Sequence, residues 1–239
     1  MYVVITAFCI FLLIGVVVIY VDGFRLAKTL WLIVSIEPYE QFIPDAPRIL
    51  IFGDSTGYGT GARLNTNSIA GRIGADFSSY TIENTSVNGQ TIKDALLKMK
   101  ELPDTKTYTL ILLQLGGNDI LQKRPLVSIK AELTLLLAEA TNRAEHVVLM
   151  TSGNVGGAPV FKGKQARDYE MRTRELRTVS MELSTQAGVH YVDLFLEPEV
   201  DIVSQNPKRY LALDGLHPSD EGYGVWYEKL EPVLKEVLY

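Results

Sequence analysis

Apolar residues are laid out along this 239-residue chain in two ways. The first is a single unbroken run at the start. Residues 2–21 read YVVITAFCIFLLIGVVVIYV and carry no charged side chain. At about 1.5 Å per residue a helix of that length spans about 30 Å, the hydrocarbon thickness of a bilayer. Tyr2 and Tyr20 stand near its two ends, where amphipathic rings favour the interface. No Lys or Arg precedes the run, and VIYVDGFRLA offers no small-x-small cleavage site, so the pattern predicts an uncleaved membrane anchor over a secretory signal. A soluble helix this apolar on every face would need enclosure on all sides. Residues 23–47 read as a connector. An apolar, helix-like stretch (24–36) leads into EPYEQFIPDAP, whose three prolines end any helix. The division expected is 1–22 anchor, 23–47 connector and 48–239 globular domain, beginning near Pro47.

The second layout is an alternation. Short, continuous, Val/Ile/Leu-rich runs at 48–52, 81–87, 108–115, 146–151 and 190–194 read as strands buried on both faces. Between and after them, amphipathic segments at 68–77, 91–101, 125–142, 164–187 and 219–238 read as helices. Asn67 or Ser68 suits the first as a cap, and Ser219 with Asp220 suits the last. Alternating β and α predicts an α/β fold with a parallel sheet and helices on both sides. In such sheets the site lies at the carboxyl ends of the strands.

Polar groups cluster at those ends. Gly53-Asp54-Ser55-Thr56 follows the first strand, Asn88-Gly89 the second, and Gly116-Gly117-Asn118-Asp119 the third. Asp214-Gly215-Leu216-His217-Pro218 precedes the last helix. A serine hydroxyl becomes a useful nucleophile once a base takes its proton, and histidine titrates in the right range. Ser55 and His217 are the candidates. The imidazole needs its other nitrogen held by an anion, and Asp214 lies three residues away across a glycine turn. Acyl transfer puts charge on a carbonyl oxygen, which wants fixed donors. The N–H of Ser55, the N–H of Gly89 and the amide of Asn118 can supply three.

These four blocks, in this order, resemble the SGNH hydrolases, or GDSL esterase/lipase family, in its small bacterial form. The resemblance covers most of residues 48–238. It implies a flavodoxin-like three-layer α/β/α sandwich. It also implies Ser55 as nucleophile, Gly89 and Asn118 as oxyanion donors, Asp214 and His217 completing the triad, and no metal or organic cofactor. The leucine usual after the nucleophile is Thr56 here, a change expected at the pocket wall. The glycine-rich stretch 151–163 lacks a GK[ST] phosphate signature and reads as a second wall, with Asn154, Val160 and Phe161 available to line it. Asp54 and Asp119 are expected to brace their loops, and His146 and His190 to be structural. Asn84-Thr85-Ser86 is a glycosylation sequon by letter, but it falls in a strand expected to be buried.

Composition narrows the partners. Hydrophobic residues make up 47% of the chain, enough for a core, and the net charge of −5 argues against nucleic acid. The single cysteine, Cys9, excludes an intrachain disulfide and a Cys-based zinc site. It reads as a small apolar residue, since Phe8 stands where lipoprotein processing needs a small one. The expected partners are a small-molecule or lipid ester substrate and the membrane, through the N-terminal helix. Arg25 and Lys28 after the anchor favour a cytoplasmic domain by the positive-inside rule, while the habit of the resembled family favours the outer face of the cytoplasmic membrane. The function expected is a membrane-anchored serine ester hydrolase. An acyltransferase on the same triad and a non-catalytic binding module remain the alternatives.

Overall fold

The computed structural model describes Leu32 and residues 36–239, Lys106 excepted. The expected anchor, residues 2–21, lies outside the described residues, as does most of the stretch 24–36. Among the described residues no helix is long and apolar enough to cross a membrane.

The strands are β1 (Arg48–Gly53), β2 (Thr81–Asn84), β3 (Tyr108–Leu115), β4 (Ala144–Thr151) and β5 (His190–Val192). All four pairings are parallel and the sheet order is β2-β1-β3-β4-β5. This is the flavodoxin-like order, with its switch point between β1 and β3. The helices, in chain order, are α1 (Ser55–Tyr58), α2 (Ile69–Asp76), α3 (Ile92–Met99), α4 (Gly117–Leu121), α5 (Leu126–Arg143), α6 (Gly163–Ala187), α7 (Ile202–Gln205), α8 (Pro207–Tyr210) and α9 (Asp220–Leu238).

Period-two alternation divides each strand between two cores. Leu50, Phe52, Ile111, Leu113 and Leu115 face a cluster built with α3, α5 and α6. Ile49, Ile51, Leu110 and Leu112 face the other, built with α2 and α9. Both faces of the central strands are therefore buried, which is why they read as unbroken apolar runs. Ser68 caps α2 by accepting from the Gly71 N–H, and Ser219 caps α9 by accepting from the Gly222 N–H. Strand β2 stops three residues earlier than its apolar pattern suggests. Asn84 turns inward, accepts from the Ser86 N–H at 3.1 Å and donates to the Gly57 carbonyl at 2.9 Å. The amide that opens the sequon is thus buried.

Residues 36–47 are built onto the domain. Gln41 and Ile82 exchange two backbone hydrogen bonds, at 3.0 and 2.8 Å, as an antiparallel bridge on the outer edge of β2. The Gln41 amide donates to the Tyr80 carbonyl at 2.8 Å, and Thr81 Oγ1 bonds both backbone groups of Ile43. The Tyr39 ring fills the space left by Gly74 on α2. Prolines stop a helix here, but an extended strap suits them, and it covers an edge that would otherwise offer unpaired N–H and C=O groups. Packing therefore extends upstream of Pro47, at least to the buried Ile36.

Candidate active site

Strand β1 ends at Gly53, and the chain turns at once into the single-turn helix α1. Asp54 is its N-cap: its carboxylate accepts from the Thr56 N–H at 2.9 Å and the Thr56 hydroxyl at 2.8 Å. Gly59 closes the turn at φ +95°, a left-handed conformation that side chains resist, and its N–H returns to the Ser55 carbonyl at 3.1 Å. Ser55 thereby occupies the first helical position. Its own N–H has no acceptor within the helix and is free for an anion.

His217 reaches this serine from 162 residues further along the chain. Its Nε2 lies 2.9 Å from Ser55 Oγ and its Nδ1 lies 2.6 Å from Asp214 Oδ2. The other carboxylate oxygen, Oδ1, accepts from the backbone N–H groups of Leu216 at 3.0 Å and His217 at 3.1 Å. The turn carrying both residues is closed by backbone bonds between Ala212 and His217 and between Ala212 and Gly215. It is pressed on the loop after α1, where a Cβ at Gly61 would sit 2.9 Å from His217 Cβ. Two further ties hold that contact. Asp220 accepts from the Arg63 backbone at 2.8 Å, and the buried Tyr223 hydroxyl donates to the Thr60 carbonyl at 2.7 Å.

Burial pushes the Asp214 carboxyl up, but hydrogen bonds and charge from His217, with the two backbone donors, outweigh it and leave the group below the ordinary carboxylate range. It is therefore an anion at neutral pH, suited to hold Nδ1–H and present a bare Nε2 to the serine.

The oxyanion candidates converge on the same cavity. Gly89 sits in the turn after β2 at φ +81°, with nothing within 4 Å of where a Cβ would stand. Asn118, in α4, sends one amide proton to the Gln90 carbonyl at 3.1 Å; its contact to Asp54 Oδ2 is long, at 3.5 Å. Gln90 thus orients the amide, a role no side-chain pattern announces because the backbone carbonyl performs it. Asp119 braces this loop. It accepts from the Ile92 N–H at 3.0 Å and from Arg124 at 2.6 Å, tying α4 to the start of α3.

Ser55, Thr56, Gly89, Asn118, Asn154 and His217 all border one cavity of about 340 Å³. Both amide atoms of Asn154 are buried with no hydrogen-bond partner among the described residues. Val160 and Phe161, expected at the wall, do not border it. Phe161 instead packs edge-on to Tyr169, 4.7 Å between ring centres, and Val160 lies beside Gly215. Their places are taken by residues with no pattern to betray them. Val203 and Ser204 come from the single-turn helix α7 after β5, and Trp226 comes from α9. His146 and His190 lie on β4 and β5, away from the cavity.

Asp54 has an energetic signature of its own. It is 3% exposed, and burial raises its carboxyl from 3.8 to about 6, against the lowering effect of the Thr56 hydrogen bonds and His217. A raised carboxyl binds more protons folded than unfolded between those two values, so stability falls as pH rises through that window. The full cost above it is at most about 3 kcal/mol. Asp54→Asn keeps a cap oxygen and loses the charge. We expect urea unfolding at pH 8 to show a gain approaching that figure and unfolding at pH 4 to show almost none. Equal gains at both values would mean the buried charge is not the cause.

Residues 51–225 match the model of the GDSL-like lipase/acylhydrolase family. An arylesterase of Vibrio mimicus is 26% identical over 141 residues, covering 59% of this chain and 63% of that protein. The match thus spans just under two thirds of that relative. In fold, the chain is similar to a lipolytic protein of the G-D-S-L family from Veillonella parvula, with TM-score 0.63, 17% identity, and 80% of this chain and 99% of that one covered. It is also similar to TesA, with TM-score 0.61, 20% identity, and coverage of 80% and 99%. With most of the chain matched by the family model and the same fold in its structural neighbours, the protein belongs to the GDSL-like lipase/acylhydrolase family.

Proposed function

We propose that the protein is a membrane-anchored serine ester hydrolase working through an acyl-enzyme on a small, lipid or cell-envelope ester. One observation carries the chemistry: the continuous chain of hydrogen bonds from Ser55 Oγ through the His217 ring to Asp214, opening into the cavity. As Ser55 Oγ bonds the acyl carbon, its proton passes to His217 Nε2. The carbonyl oxygen becomes an anion, received by the N–H groups of Ser55 and Gly89 and by Asn118 Nδ2–H. Collapse breaks the ester bond, and the leaving alcohol takes the proton from His217. Water then repeats the sequence, with His217 as base, and releases the acid. Thr56 and Asn154 bind substrate at the wall. The unpartnered Asn154 amide suits a polar group beside the ester, since a buried amide without a partner is costly until one arrives.

Residues 2–21 hold the domain at the cytoplasmic membrane in this reading, on its outer face. Tethering raises the local concentration of membrane and wall esters. Protease added to spheroplasts should then cut the domain; protection in intact spheroplasts would reverse the orientation.

The chemistry is tested with the full-length protein in detergent on p-nitrophenyl acetate, butyrate and octanoate. Hydrolysis is expected, with kcat/KM rising from acetate to octanoate as acyl carbons fill the apolar cavity, at about tenfold per 1.4 kcal/mol of added burial. Folded protein inert towards all three esters would sink the reading. Transfer of the acyl group to an added alcohol in preference to water would favour the acyltransferase.

A further inference from the structure

We propose that the mouth of the Ser55 cavity docks on the bilayer holding residues 2–21, so that the substrate is an amphiphilic acyl ester entering from the membrane. This rests on the anchor and the Ser55 chemistry proposed above.

Two independent observations point to it. The first is where the continuous described chain begins, four residues after the buried Leu32. Ile36 lies beside α1, its Cδ1 3.9 Å from where a Cβ on Gly59 would stand, and Gly59 is four residues from the serine. From there the strap descends antiparallel to β2, through the bridge at Ile82, to Pro47 at the opposite end of the sheet. The continuous described chain therefore begins at the carboxyl end of the sheet, the end that carries the site. Residues 22–35, fourteen in all, separate that point from the apolar run. Even fully extended they reach about 50 Å at most.

The second observation is the surface around the mouth. Leu64 (63% exposed), Val87 (42%), Val200 (60%), Ile202 (42%) and Leu213 (67%) are all large, apolar and open to solvent. Each lies in a connection leaving the carboxyl end of a strand or the His217 turn, next to the site. Leu64 follows the Gly61 contact with His217, Val87 precedes Asn88 and Gly89, Ile202 sits between the cavity residues Asp201 and Val203, and Leu213 precedes Asp214. At the opposite end of the sheet the connections 77–80, 100–107 and 188–189 hold no such side chain, and the exposed rings there are Phe42 on the strap (81%) and Tyr239 beside Phe77 (87%), two against the five around the mouth. An apolar rim of five side chains around one opening is what an interfacial surface requires. Behind it the cavity continues apolar through Leu121, Leu194, Leu196, Val203, Leu211 and Leu216, a lining fit for an acyl chain drawn from lipid.

The test uses the full-length protein with Cys9→Ser, reconstituted in phosphatidylcholine/phosphatidylglycerol vesicles. A bimane label is placed on Leu64→Cys, on Ile202→Cys, or on Glu145→Cys at the far end of the sheet, and doxyl-labelled lipid is the quencher. Docking predicts strong quenching at 64 and 202 and almost none at 145. In parallel, the unlabelled Leu64→Asp/Ile202→Asp protein should lose at least tenfold in turnover of a vesicle-borne long-chain ester and keep its turnover of p-nitrophenyl acetate. Protein that floats with the vesicles while all three labels stay unquenched, or while 145 is quenched as strongly as the rim, overturns the docking and leaves the anchor intact. Protein that fails to float overturns the anchor and the docking together. Equal losses on both esters would overturn the interfacial role of the rim.

Discussion

Replacing Ser55 by alanine is expected to lower kcat on p-nitrophenyl butyrate by on the order of 10⁴–10⁶-fold, with folding intact. The magnitude follows serine hydrolases in which loss of the nucleophile costs about as much as loss of the whole triad. What remains is binding and whatever the oxyanion donors achieve with water. Stability should hold because the hydroxyl contributes one hydrogen bond, to His217 Nε2, worth on the order of 1 kcal/mol. The backbone that shapes the turn does not depend on it. Asp54 caps α1, Gly59 closes it, and Tyr58 and Thr60 send their N–H groups to the Asp54 and Ser55 carbonyls. A fluorophosphonate gives the positive control. Ser55 Oγ displaces fluoride from phosphorus, so wild type should carry the adduct on the peptide containing Ser55 and the variant should carry none. An alanine variant within tenfold of wild type would place the nucleophile elsewhere.

The ability to name that serine in advance has a physical basis. Parallel strands buried on both faces must be apolar throughout, and the site must lie where they end. Polar residues after 52, 87 and 115 therefore stood out against their surroundings. Tyr108–Leu115 was legible to the residue because its eight positions are flanked by polar turns. The triad and oxyanion candidates were legible for the same reason, since each depends on side-chain type or on a glycine. Other residues acting through their backbone were not. The Gln90 carbonyl orients Asn118, and nothing about a glutamine says so. Much of the cavity wall was also silent. Val203 and Ser204 lie in the four-residue helix α7, too short to show a period, and Trp226 lies on a helix whose apolar face serves the core and the cavity at once. Phe161 was a natural choice for a wall, yet Tyr169, eight residues on, drew it into the core cluster. The strap was hidden by its prolines. They forbid a helix, but they say nothing of an extended segment taking up the free edge of β2.

Asp214→Asn is the sharper test of how the base is held. The substitution preserves volume and leaves an oxygen to accept from the Leu216 and His217 N–H groups, so the side chain keeps its orientation. With its oxygen held there, the amide –NH₂ replaces Oδ2 opposite His217 Nδ1, where the bond is now 2.6 Å. A donor in that place requires Nδ1 to be an acceptor. The ring proton must then sit on Nε2, which faces Ser55 and can no longer take its proton. A drop in kcat of about 10⁴-fold is expected, the figure known for the equivalent change in the chymotrypsin-type triad. A ¹⁵N spectrum of the imidazole should show the tautomer reversed. Stability should change in a pH-dependent way. The Asp214 carboxyl lies below its ordinary value when folded, so it stabilises the fold above the unfolded carboxylate range and loses that contribution as the pH falls through the folded value. The variant should therefore be the weaker protein at pH 7 and approach wild type in acid. A variant with near-normal kcat and the wild-type tautomer would mean that some other group holds the ring, and that the short contact to Asp214 is structural.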